Sequence, residues 1–370
     1  ELRAALPAPV RREWDTFSPA GTADVDLTLR HNLPRADDLD YTLVVDARDM
    51  QVRYRDFPYT FRNLRGRMVA SPGELRLEDL HAAKGKMRAV LDGTVRTDDE
   101  METALLRVRA DDVPIDAELL GALPEELAPL VKRIRAGGTC SLNLKELAVV
   151  RPAGSAATQP AETQPATATA PATAPRPGGA WSLDGSVAFR DAVIDFGLGA
   201  ETLTGVVKGV GGRTARGVSL DAQVAMERLQ VGKREITDLT GTLLKHPSGS
   251  LIVLKDLSAG AHGGKVTGRA EFRLTDPLEY GLSLTVAGAD LDALFNAGVT
   301  DPKKRADVKG ALDGTLQLKG TVGKSATRQA VGVLRISRGK LYKLPILLGF
   351  LHVMYLSVPG DSAFTDGFIS

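Results

Sequence analysis

The chain has 370 residues, 47 Lys and Arg against 46 Asp and Glu, and only 5% aromatic residues. The near-neutral balance excludes the basic stripe of a nucleic-acid binder, and the scarcity of aromatics excludes a stacking platform for bases. One cysteine, Cys140, excludes an internal disulfide framework and reads as a buried, inert thiol. The length allows two or three ordinary domains with a sizeable core.

Residues 1–20 predict a helical lead-in ending near Pro19. From Gly21 the pattern becomes one of strands, with apolar residues at every second position, the period of a sheet with one buried face. The first unit, 21–137, opens with 21–29, a loop near 31–38, then runs at 41–45 and 48–54. Further strands centre on Leu64 and Met68, on Leu75 and Leu77, on Ala89 and Leu91, and on Leu106 and Val108. Ser71, Pro72 and Gly73, and Thr97, Asp98 and Asp99, supply turn chemistry between them. Residues 116–135 predict a helical region that Asp116 caps, Pro124 and Pro129 interrupt, and Gly137 and Gly138 stop.

The second unit, 138–313, repeats this grammar: a strand over 138–144, a loop, then runs at 181–189 and 190–196. The loop here is long. Residues 152–180 are rich in Pro, Ala and Thr and predict disorder. The repeat places this segment where the first unit has a short hairpin loop, so the strands at 142–149 and 181–189 are expected to pair with each other. Later runs echo the first unit: 236–241 echoes 61–66, and 251–257 echoes 75–80. Strands at 266–274 and 281–286 follow, then a short helix over 290–295. The third unit, 314–370, is partial. It has strands at 314–318, 332–336 and 338–342, a loop near 321–328, and an apolar helix over 345–356 with Pro345 in its first turn. That helix reads as a cap on the sheet or a membrane-dipping segment, being too short to span a bilayer. No signal peptide is visible, and the two ends read as those of a fragment.

Strand units that repeat and cannot bury their faces alone must stack. The expected fold is mainly β, a long twisted antiparallel sheet with a few short helices and one long apolar face. Reactive constellations are missing from the sequence. The five histidines, His31, His81, His246, His262 and His352, form no metal-ligand spacing and read as solvated. Gly323, Lys324 and Ser325 fail as a phosphate loop because Leu318 stands where glycine is required. Gly209, Gly211 and Gly212 read as a turn, and the neighbouring acidic pairs Asp38 and Asp40, and Asp111 and Asp112, as turn residues. No serine elbow is present. Neither catalytic residues, nor a metal, nor a cofactor is expected.

Residues 332–345, followed by the apolar helix, resemble the closing motif of the AsmA-like C-terminal region: a strand, a polar turn with Gly339, then Leu344 and Pro345. Phe364 and Thr365 resemble the strand that follows in that family, and the junctions at 113–116 and 290–294 resemble its strand-to-helix steps. The resemblance implies a curled sheet forming a groove, so that the three units become β-groove repeats. It implies a periplasmic protein anchored in the inner membrane of diderm bacteria by a segment outside this chain. Phospholipids would be the ligands, outer-membrane components the partners, and outer-membrane biogenesis the wider role. Candidate lining positions are Val25, Leu27, Leu29, Leu43, Val45, Leu142, Leu144, Val187, Phe189, Leu282, Leu284, Val286, Leu316, Leu318, Leu334 and Ile336. Two readings stand. The face is a conduit for acyl chains, or the sheet closes on itself and serves as an assembly module that recruits partners by strand addition. An enzyme would need a polar pocket assembled from distant residues.

Overall fold

A computed structural model of the protein describes residues 18–31, 39–54, 57–98, 100–123, 127, 131, 135–152, 179–195 and 200–340. The apolar helix expected at 345–356, residues 1–17 of the lead-in, and 153–178 of the low-complexity loop lie outside the described residues.

The fold is one 16-stranded sheet in which every strand pairs antiparallel with the strands before and after it in sequence. The first strands are β1 Ala20–His31, β2 Leu39–Tyr54, β3 Phe57–Ser71, β4 Glu74–Lys84, β5 Met87–Thr97 and β6 Met101–Pro114. Helix α1, Ala117–Ala122, follows, and then β7 Arg135–Pro152, β8 Ala180–Asp195, β9 Ala200–Thr214 and β10 Gly217–Val231. The series continues with β11 Arg234–Lys245, β12 Leu251–Ala261, β13 Gly264–Arg273 and β14 Glu279–Asp290. Helix α2, Leu291–Phe295, and a 3-10 turn, Pro302–Lys304, precede β15 Lys309–Thr321 and β16 Lys324–Lys340. The low-complexity insertion is a hairpin connection, as the repeat predicts: Leu142 faces Val187 and Val149 faces Trp181 across β7 and β8.

Several runs that read as separate strands are single strands bent by a bulge. Runs 41–45 and 48–54 are both in β2, 181–189 and 190–195 are both in β8, and 332–336 and 338–340 are both in β16. The bulges have a repeated chemistry. Asn63, Asp79, Asp112, Asp191, Asp238 and Asp256 all have φ between 48° and 53° within strands. Asp and Asn tolerate this left-handed conformation better than other residues with a Cβ. Each is followed by a buried apolar residue, namely Leu64, Leu80, Val113, Ala192, Leu239 and Leu257. The extra residue restores the phase of the strand, so apolar side chains on both sides of the bulge face the same way. Amides that lose a ladder partner there are taken up by the neighbouring strand. Asp79 N–H donates to Asp92 Oδ1 at 3.0 Å, and Asp191 N–H to Thr204 Oγ1 at 3.1 Å. Gly66 has φ 127°, and a Cβ there would lie 2.4 Å from the carbonyl oxygen of Asp79, so the bulge of β4 requires glycine opposite it.

Other expectations are corrected by the structure. Asp111 and Asp112 lie in β6, because Asp112 forms a bulge and not a turn. Gly209, Gly211 and Gly212 lie within β9, where a Cβ on Gly209 would come 2.2 Å from the Asp221 carbonyl oxygen; close strand approach, not a turn, explains the cluster. Of the helix expected over 116–135, only 117–122 is a continuous described helix, and Arg135 to Gly138 already belong to β7. The third unit's expected loop is a tight turn, since Thr321 pairs with Lys324.

The connections fall on two rims. Odd-to-even connections form one rim, where the insertion between β7 and β8 falls. Even-to-odd connections form the other rim, which carries both helices. All six Asp or Asn bulges lie on the helix-rim side of the row that begins at Val25, and bulges bend strands and add twist. The sheet is therefore curled.

Candidate apolar lipid-facing surface

Residues directly opposite each other in antiparallel strands project from the same face. Register can therefore be followed from strand to strand. From Val25 the row passes through Val45, Met68, Leu77, Gly93, Leu106, Leu147 and Leu183. It continues through Gly211, Leu220, Lys245, Ile252, Phe272, Tyr280 and Gly320. Lys245 is the single charged residue on it. A second row runs from Leu80 through Leu91, Val108, Leu144, Gly185, Gly209 and Ala222. It goes on through Leu243, Leu254, Ala270, Leu282, Leu318 and Ala330, with no polar side chain. Sixteen strands at about 4.8 Å spacing give an apolar track of about 70 Å.

All sixteen positions expected from the sequence lie on this face. Val25, Leu27 and Leu29 are on β1, opposite Val45, Leu43 and Tyr41. Leu142, Leu144, Val187 and Phe189 are at the centre, where Leu142 faces Val187, Leu144 faces Gly185, and Phe189 faces Cys140. Leu282 faces Leu318, Leu284 faces Leu316, and Val286 faces Gly314, which in turn faces Leu334. Ile336 faces Leu312. Sequence reading missed the members between these groups, such as Leu106, Leu147, Leu183, Leu220 and Ile252. Their alternation was visible, but their alignment is a long-range property of register. Cys140 is half-buried on the same face, and burial pushes its thiol up, in keeping with an unreactive group.

The face is not uniformly open. At the helix rim of β2–β6, Tyr59, Met87, Leu64 and Leu80 form a buried cluster with Ala122 of α1. Tyr59 is 2% exposed, donates from its hydroxyl to Met87 Sδ at 3.3 Å, and meets Phe61 edge-on at 5.4 Å. Charge fixes α1 over this cluster. Asp116 Oδ1 accepts from Leu119 N–H at 2.9 Å as the helix cap, and Glu118 Oε1 accepts from Thr60 N–H at 2.8 Å. Lys84 Nζ lies 2.6 Å from Glu118 Oε2 and 4.7 Å from the centre of the Tyr59 ring. The hydrogen bond from Lys84 holds Glu118 down at about 2 against burial, which opposes it. At the other end α2 buries Leu291 and Leu294 with Ala289, Val308 and Leu312. Asp290 caps it, accepting from Ala293 N–H at 2.9 Å.

Between these ends the lining residues are half-buried: Leu142, Leu144, Leu147, Leu183, Val187, Val207 and Leu220 have neighbours beside them but, among the described residues, no layer above. On the edge strand Val25, Leu27 and Leu29 are 48%, 53% and 56% exposed. Charges on this face are neutralised near the rim of odd-to-even connections. Arg151 lies 2.5 Å from Glu102, both almost fully buried. Lys245 Nζ donates to the carbonyls of Val218 at 2.7 Å, Gly249 at 3.0 Å and His246 at 3.4 Å.

The opposite face is polar and laced with cross-strand ion pairs, including Arg67 with Asp46 at 2.9 Å and Arg96 with Glu74 at 3.2 Å. A shallow hollow of about 450 Å³ there is lined by Asp49, Asn63, Arg65, His81 and Arg88. His81 sits 3.0 Å from Asp79 and is exposed, as expected of a solvated histidine. His262 departs from that expectation: it is half-buried, and burial lowers its pKa. Among the described residues no group of His, Cys, Asp and Glu is arranged to hold a metal ion. No described helix is long and apolar enough to cross a membrane. The chain matches no protein-family model, no curated protein and no solved structure.

Proposed function

We propose that this chain is a non-enzymatic lipid-transfer segment, shielding phospholipid acyl chains along its apolar face while headgroups stay in water at the rims. The observation that supports this is the continuity of the two apolar rows across the sheet, with half-buried side chains at the centre and no covering layer there among the described residues. An acyl chain of about 20 Å would cross about four strands. Each methylene removed from water contributes about 0.8 kcal/mol. Rows of similar leucine and valine positions with glycine between them offer many equivalent seats, which suits sliding more than capture. The same proposal, resting on the resemblance to the AsmA-like family, includes work in the periplasm between an inner-membrane anchor and the outer membrane.

Lipid extraction and mass spectrometry on protein purified without detergent test the reading. Phospholipid is expected at one or more molecules per chain, and is expected to be lost in the double variant Leu284→Asp with Leu316→Asp. These two residues face each other in β14 and β15. A folded, monodisperse and lipid-free wild-type protein contradicts the proposal. The second reading, an assembly module, is favoured by one observation: among the described residues, β1 and β16 pair on one side only. Such edges accept added strands.

A further inference from the structure

We propose that Arg234, with the His262 imidazole beside it, holds the phosphate of a phospholipid whose acyl chains lie on the apolar face; this rests on the conduit reading. Arg234 opens β11 at the helix rim, opposite Val231 and two positions before Ile236, which faces Leu229. Its side chain therefore starts from the apolar face. Its Nε is shut off from solvent and has no hydrogen-bond partner. Three other cations on this face are held by the fold: Lys84 by Glu118 and Asp116, Arg151 by Glu102, and Lys245 by three carbonyls. Arg234 has no such carboxylate. Burial lowers its pKa, and no counter-charge offsets that effect.

His262 occupies the turn between β12 and β13 with φ 50° and is half-buried. Burial, and next the charge of Arg234, lower its pKa, while the Ala293 backbone and the Asp290 carboxylate pull it back up. The His262 imidazole, held by its hydrogen bond to the Ala293 backbone, lies next to the guanidinium without adding a second full charge. A planar guanidinium with an unused donor suits a phosphate oxygen geometrically as well as electrostatically. Leu229, Ile236 and Leu203 form the adjoining apolar surface, so a ligand that carries both phosphate and hydrocarbon gains from both. Inorganic phosphate shares only the first interaction.

The test loads the whole chain from vesicles of dioleoylphosphatidylglycerol and, separately, from dispersed dioleoylglycerol, which has the same tails and no phosphate. Bound lipid is counted by mass spectrometry for wild type, Arg234→Gln and Arg234→Lys, with circular dichroism confirming the fold. Arg234→Gln is expected to retain about tenfold less phosphatidylglycerol and unchanged dioleoylglycerol, with Arg234→Lys in between. Excess inorganic phosphate is expected to lower phosphatidylglycerol retention alone. Equal losses of both lipids, or no loss of either, overturn the headgroup assignment and leave the conduit reading standing. A shift of the Arg234 Nε–H resonance by inorganic phosphate, with phosphatidylglycerol retention indifferent to Arg234→Gln, assigns the site to a free anion and also overturns it. If wild type takes up neither lipid, the conduit reading fails and this proposal fails with it.

Discussion

The helix-rim end of β2–β6 and the centre of the sheet in β7–β10 carry the same alternating strands on the same face, yet among the described residues one is closed and the other open. At the closed end Tyr59 and Met87 are 2% and 1% exposed beneath α1. At the open centre Leu144, Leu147 and Leu183 are half-buried, and Gly185, Gly209 and Gly211 thin the face between them. The difference lies in side-chain volume and in one six-residue helix tied down by Glu118 and Lys84. Stability and ligand binding are therefore expected to separate along the sheet.

The sharpest way to break this comparison is to truncate one residue on each side of it. Tyr59→Ala should lower unfolding free energy by about 3–4 kcal/mol, read from urea denaturation, with bound lipid unchanged. Leu144→Ala should cost only about 1 kcal/mol, because the side chain is half-exposed, and should reduce bound lipid. Equal costs at the two positions would mean that the centre is as closed as the end.

The bulges sharpen the comparison, since they curl the sheet. Asp238→Ala places a less tolerant residue at φ 52° and should destabilise by about 1 kcal/mol, whereas Asp238→Gly should be close to neutral in the same denaturation experiment. A comparable effect, with a pH signature, is expected at α1. Glu118→Gln should cost about 1 kcal/mol. Its carboxyl is held at about 2, below its ordinary 4.5, so its contribution is complete above about 4.5 and is lost as pH falls towards and through 2. Lys84 is raised above its ordinary 10.5, so its share persists through neutral pH and is lost only in strong alkali. Thermal unfolding of Glu118→Gln should show a weaker dependence on pH in the acid window than wild type.

Much of the architecture was legible because alternation is local. The strands, the short helices after Asp116 and Asp290, and the hairpin that carries the insertion all follow from residues within a few positions of each other. Phase was lost wherever a bulge intervened. Runs such as 41–45 and 48–54 read as two strands because alternation slips by one residue between them, at Arg48 and Asp49. The repeated pair of Asp or Asn followed by an apolar residue, at Asp79 with Leu80 and at Asp238 with Leu239, was the available signal for a bulge. The glycines of β9 misled for a different reason: glycine marks close strand approach as readily as it marks a turn, and only the neighbouring Asp221 carbonyl distinguishes the two. By register the sixteen expected positions share one face. Their alignment into rows, and the burial of the unpartnered Arg234 Nε, depend on register between distant strands and have no local signature.

The central claim is that the apolar face holds acyl chains along its length. Its most direct test is photo-crosslinking with a phospholipid carrying a diazirine in one acyl chain, followed by peptide mapping of the adducts. The account predicts adducts at Leu147, Leu183, Leu282 and their row neighbours, spread across many strands, and none at the polar-face residues Leu105 and Val210. Adducts on the polar face, or none on the rows in a folded protein, would contradict it.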